Sequence, residues 1–191
     1  MKNICVFGSS SEMIDREYLD VAVQLGQQLA RRGCHVIFGA GRYGIMGAVS
    51  RGVIAEKGEL TGISPDFFVD KNVIVRDYGE LILTQSMRER KRLMEDKADA
   101  FIICAGGIGT LEEFFEVLTL KQLGRHKKPI IILNTKGFYD PMIGMIEQSV
   151  DKKFMLPEVK KLYSVAKDLD EVFEQLDSYE PFHYEKYGDR E

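Results

Sequence analysis

Three cysteines and three histidines are all that this 191-residue chain offers for thiol or metal chemistry, and neither set is arranged for it. Cys5, Cys34 and Cys104 form no Cys-x-x-Cys pair. Each lies in or beside a strand-like segment, which reads as buried, reduced thiols and a cytoplasmic setting. His35 falls in a strand pattern, and His126 and His183 lie in polar stretches with no Cys or carboxylate at ligand spacing, so no metal site is expected. No apolar run is long enough to span a bilayer, and the opening Asn3-Ile4-Cys5-Val6-Phe7 is too short for a secretory leader. A long basic run is missing too. With 26 Lys and Arg against 30 Asp and Glu, the formal charge of −4 argues against binding to nucleic-acid polymers or anionic membranes, while short anionic ligands stay open.

What the chain does have is alternation. Short apolar runs at residues 4–7, 35–38, 60–63, 100–104, 129–133 and 162–165, with weaker ones at 73–75 and 81–83, alternate with helical patterns at 16–32, 44–57, 87–97, 111–123, 139–152 and 169–175. That order predicts an α/β fold with a mainly parallel sheet covered on both faces. No repeat or linker divides the chain, so residues 1–177 read as one domain and residues 178–191 as a peripheral tail.

Ligands of such sheets bind beyond the carboxyl ends of the strands, so the β-to-α turns carry the functional signal. The most telling is Ala105-Gly106-Gly107-Ile108-Gly109-Thr110-Leu111-Glu112-Glu113, where three glycines join a strand to a helix expected to start near Leu111. Glycine lets backbone N–H groups approach a ligand closely, and a helix start favours an anion, so the turn outlines a phosphate cradle. A purely structural reading competes with it: Thr110 and Glu113 have the spacing of a capping box, as do Ser86 with Glu89 and Asp168 with Glu171. Glu113, however, falls on an apolar line with Val117 and Leu120, where a carboxylate needs a reason.

A second polar intrusion lies upstream in Ser86-Met87-Arg88-Glu89-Arg90-Lys91. Met87, Met94 and Ala98 share one helix face, and Arg90 and Lys91 flank it. Either this is a solvated basic helix, or Arg90 and Lys91 enter a pocket where Glu113 or its neighbour is the partner. The turn Gly39-Ala40-Gly41-Arg42-Tyr43-Gly44 matches Gly-x-Gly-x-x-Gly, but it follows the second strand and lacks the acidic residue about 20 positions on, which speaks against a nicotinamide enzyme. Ser9 and Ser10 lack a local base and read as hydroxyl donors to a ligand.

Met87-Arg88-Glu89-Arg90-Lys91 and Gly106-Gly107-Ile108-Gly109-Thr110-Leu111-Glu112-Glu113, with their separation, resemble the paired signatures of the LOG ("lonely guy") phosphoribohydrolases, once labelled lysine decarboxylase-like. Gly8-Ser9-Ser10-Ser11, Gly44-Ile45-Met46-Gly47 and Gly137-Phe138-Tyr139-Asp140 extend the resemblance to about Phe154. It implies a Rossmann-like three-layer αβα sandwich that is a homodimer or larger assembly. The implied activity is cleavage of the N-glycosidic bond of a nucleoside 5′-monophosphate, a cytokinin riboside 5′-monophosphate or AMP, with neither metal nor organic cofactor. Arg90 and Glu113 would be catalytic. Ser9, Gly41, Met87, Lys91, Gly106, Gly107, Gly109, Thr110, Glu112 and Thr119 would contact substrate. Four positions differ from the family pattern: Ala105 replaces Pro, Ala40 interrupts a run of glycines, Ser86 replaces Asp, and Asn72 stands about where a Glu is expected. The competing class is a non-catalytic carrier of a nucleotide or of the molybdenum cofactor on the same fold. Lysine decarboxylation fits worse, because no lysine stands in a setting for a pyridoxal phosphate Schiff base.

Overall fold

A computed structural model describes residues 2–76 and 78–182. Seven strands, β1 (Asn3–Phe7), β2 (His35–Phe38), β3 (Glu59–Pro65), β4 (Glu80–Thr84), β5 (Ala100–Ile103), β6 (Ile130–Leu133) and β7 (Ser164–Ala166), form one sheet in the order β4-β3-β2-β1-β5-β6-β7. Every pairing between them is parallel. Six helices cover it: α1 (Arg16–Arg31), α2 (Gly44–Ala55), α3 (Met87–Lys97), α4 (Ile108–Gln122), α5 (Asp140–Asp151) and α6 (Leu169–Asp177).

Strand periodicity splits the core into two layers. Along β1, Ile4 and Val6 point to one side and pack with α1, α2 and α6, while Cys5 and Phe7 point to the other and meet α3, α4 and α5. Both faces are therefore dry, which is why the strands read as continuous apolar runs instead of alternating ones. The chain winds outward from β1 to β4, then returns to the far side of β1 as β5. That reversal opens a crevice beyond the carboxyl ends of β1 and β5, where ligands of such sheets bind. The loops on its two sides are tied together by the Ser9 N–H, which donates to Ala105 O at 3.1 Å.

The fold corrects three expectations. Residues 73–75 are no strand: Ile74 makes one isolated antiparallel bridge to Gly41, and the segment lies across the top of β2 with its hydrogen bonds spent on Ala40 and Arg42. Helix α4 begins at Ile108, three residues before the expected Leu111, with Gly107 as its N-cap and no capping side chain. Thr110 and Glu113 are thus inside the helix and form no capping box. The other two boxes cap as expected, Ser86 Oγ accepting from Glu89 N at 3.2 Å and Asp168 Oδ1 from Glu171 N at 3.0 Å. Cys5 and Cys104 are buried and free, whereas Cys34 is only half-buried. Most of the peripheral tail, residues 183–191, lies outside the described residues.

Candidate active site

A cavity of about 570 Å³ opens at the crevice, lined by the turns after β1, β2, β3 and β5. One end of it is formed by the start of α4. The first N–H with an intrahelical acceptor is that of Leu111, to Gly107 O at 3.0 Å, which leaves those of Ile108, Gly109 and Thr110 for a ligand. A Cβ added at Gly107 or Gly109 would meet no protein atom within 4 Å. Glycine there clears space for what binds, not for the protein's own packing. Ser9 adds a hydroxyl: its Oγ accepts from Ser11 N at 3.0 Å, so its proton is free to donate into the cavity. Gly106 plays a structural part, its N–H facing the buried hydroxyl of Tyr139, which donates to Cys104 O at 2.8 Å.

The charged pair sits beside this cradle. Arg90 Nη1 donates to Glu113 Oε1 at 2.9 Å, with each side chain only 9% exposed. Arg90 Nε donates to Ile63 O at 3.1 Å, which anchors the guanidinium at the end of β3. Burial pushes the Glu113 carboxyl above the usual carboxylate range, and the adjacent guanidinium only partly offsets this. Because helix side chains tilt toward the N-terminus, the Glu113 carboxylate is carried back toward the free N–H groups, about one turn (~5 Å) away along α4.

The remaining expected residues divide. Gly41, Met87 and Glu112 line the cavity with Ser9, Gly107, Gly109 and Thr110. Lys91 does not: it turns to Glu116 at 2.7 Å and to Glu112, holding the latter from the side. Thr119 is exposed on α4 and away from the cavity, because it lies nearly two turns past Glu113. Sequence reasoning missed the apolar part of the cavity lining, made by Tyr43, Met46, Pro65, Phe68, Val73 and Ile74. Its residues sit in four separate segments with no shared motif. Asn72 is exposed at the end of a 3-10 turn with φ 51°, a left-handed conformation that Asn tolerates, and it does not line the cavity.

The second glycine turn is different in kind. Its helix start is already filled, since the N–H groups of Ile45 and Met46 both point at Ser9 O, at 2.8 and 3.3 Å. A dinucleotide pyrophosphate would find those two helix-start donors already taken. What the crevice defines is an α/β enzyme for a small anionic ligand, with one open helix start and one buried carboxylate. The comparisons agree. A family model described as "Possible lysine decarboxylase" matches residues 46–176. Cytokinin riboside 5′-monophosphate phosphoribohydrolase LOG5 of Arabidopsis thaliana is 38% identical over 180 residues, 94% of this chain and 79% of the relative. The LOG protein of Oryza sativa subsp. japonica, of the same name, is also 38% identical, over 94% of this chain and 74% of its own. The chain belongs to this LOG phosphoribohydrolase family. Solved structures of a molybdenum cofactor carrier protein from Chlamydomonas reinhardtii (TM-score 0.69, 22% identity, covering 93% of this chain and 98% of that one) and of a molybdenum cofactor binding protein from Rippkaea orientalis (0.67, 20%, 93% and 96%) share the Rossmann-like fold.

Proposed function

We propose that the protein hydrolyses the N-glycosidic bond of a nucleoside 5′-monophosphate, releasing free base and ribose 5-phosphate with no metal or organic cofactor. The observation that carries this is the buried Arg90–Glu113 pair one helical turn from an open anion cradle. With the 5′-phosphate on the N–H groups of Ile108, Gly109 and Thr110, the ribose lies against Glu113 and the base reaches the apolar wall of Met46, Phe68 and Ile74. As the C1′–N bond breaks, positive charge grows on the ribose ring, and the Glu113 carboxylate stabilises it and aligns the attacking water. Water adds to C1′ and the departing base takes up a proton. Arg90 fixes the carboxylate in place and favours its ionised form against the burial that raises its pKa.

The family relatives support a cytokinin riboside 5′-monophosphate as substrate, and AMP, which has the same ribose phosphate and purine, fits the same groups. Assembly as a homodimer, in the cytoplasm, belongs to the same reading: Leu83, Met87, Ile108, Phe115 and Leu123 leave apolar surface exposed near α3 and α4. Sedimentation as a monomer at micromolar concentration would remove that part. The carrier reading rests on fold likeness alone, and a carrier has no use for a buried ionised pair at a reacting carbon. Incubation with AMP, isopentenyladenosine monophosphate, other nucleoside monophosphates and adenosine decides between them. The expected outcome is free base from at least one monophosphate and little from adenosine; tight binding without turnover would support the carrier.

A further inference from the structure

A second cavity, of about 270 Å³, lies at the opposite end of the sheet. Ile130 and Ser164, the first residues of β6 and β7, form its floor, and Lys121, Lys161, Tyr163 and Tyr179 stand around it. Lys121 is the anomaly. It is 3% exposed, yet no carboxylate among the described residues pairs with it, and its one close partner is the ring of Tyr179, 5.0 Å from Nζ. A cation in the last turn of α4 suits the helix dipole, but that gain is available at the surface and does not require burial. Buried ammonium groups are costly unless paired, and a cation–π contact offsets only part of that cost. Burial pulls the Lys121 ammonium down to about 8, so it remains largely charged at neutral pH. Lys161 stands exposed at the rim, with the Phe182 ring 5.4 Å from its Nζ. Glu180, the one acidic side chain among the described lining residues, is exposed and pairs with neither lysine.

We propose that this cavity binds a small phosphate-class oxyanion, with Lys121 as the buried anchor and Lys161 as the rim cation. The anion supplies the charge that no carboxylate among the described residues gives Lys121. Its source is either free phosphate or the phosphoryl group of a small ester, both of which present the same oxygens to the two ammonium groups. Eight residues along α4 separate Lys121 from Glu113, so the two sites lie about 12 Å apart along one helix and face opposite ends of the sheet.

Site-resolved mass spectrometry of the full-length chain, labelled with limiting acetic anhydride at pH 8, tests the proposal whether or not any nucleotide is hydrolysed. Inorganic phosphate or glycerol 3-phosphate is expected to slow acetylation of Lys121 at least fivefold in a saturable way, while leaving exposed Lys57 unchanged and exceeding the effect of sodium chloride at matched ionic strength. Whichever of the two protects identifies the source, and Lys161→Ala should weaken the protection. Labelling of Lys121 that follows the chloride control overturns the proposal. Should Lys121 resist labelling, thermal denaturation decides: phosphate must raise the midpoint of the wild type by more than that of Lys121→Met, and equal rises overturn it.

Discussion

Arg90 reaches its position through a gap in the second glycine turn. A Cβ built at Gly39 would lie 2.1 Å from Arg90 Nη2, so any side chain there drives the guanidinium off Glu113 and Ile63 O. Gly39→Ala is therefore expected to leave the fold intact, because the displaced atom is the end of a flexible side chain, yet lower kcat about 10–10²-fold. Steady-state kinetics beside a urea melt would check this, and unchanged kcat would contradict it. The neighbouring Ala40 shows the opposite accommodation. It takes φ 60°, a conformation that favours glycine, and its methyl fits because Gly62 on β3 has none: a Cβ there would lie 2.8 Å from that of Ala40. The pairing of residues 90 and 113 was legible from sequence as one of two readings, since Glu113 is a charge on an apolar helix line and Arg90 flanks another apolar face. The role of Gly39 was not, because nothing in its own surroundings announces a contact with a residue 51 positions away.

At the level of elements, the start of α4 concentrates the proposed function, and its sequence pointed to the wrong N-cap. Thr110 and Glu113 mimic a capping box, while the true N-cap, Gly107, has no side chain to signal its place. The same bareness predicts a trade between stability and activity. Gly109→Ala places a methyl in open space inside a helix, so it should stabilise the free protein by about 0.5–1 kcal/mol while raising KM for a monophosphate tenfold or more. Urea unfolding and kinetics on the same preparation test both signs, and an unaltered KM would remove the phosphate from this cradle. Farther along, His126 pins the α4 exit. Its Nε2–H donates to Val117 O at 2.8 Å, its Nδ1 accepts from Lys128 N at 3.2 Å, and its ring packs on Phe101. Burial lowers its pKa to about 4 from an ordinary value of 6.5. The unfolded chain therefore takes up a proton that the folded chain refuses, and stability falls as pH drops from 6.5 toward 4. His126→Gln should flatten that fall relative to wild type in urea melts at pH 7, 6 and 5; parallel curves would show that the imidazole does not carry it.

For the molecule as a whole, the parallel sheet followed from alternation, because strands buried on both faces leave unbroken apolar runs such as Ile130–Leu133. Residues 73–75 have the same local composition but no neighbouring strand to pair with, and became a wall of the cavity instead. The strand order places the switch point between β1 and β5, and with it the whole proposed site, since Ser9, Gly107, Arg90 and Glu113 all gather at that one end. Lys91, inside one motif, and Thr119, six residues past the other, turn elsewhere, because at about 100° per residue they lie about 100° from Arg90 and about 120° from Glu113 around their helices.

The central claim is that the buried carboxylate at residue 113 performs chemistry at a ribose ring held by its phosphate. Glu113→Gln keeps the shape of that side chain and removes its charge, so binding and turnover separate cleanly. Single-turnover release of base from the best monophosphate, measured with the ligand's Kd on the same variant, tests this most directly. The account predicts a rate lowered by about 10²-fold or more with Kd changed only a few-fold. A variant that releases base at the wild-type rate would contradict it.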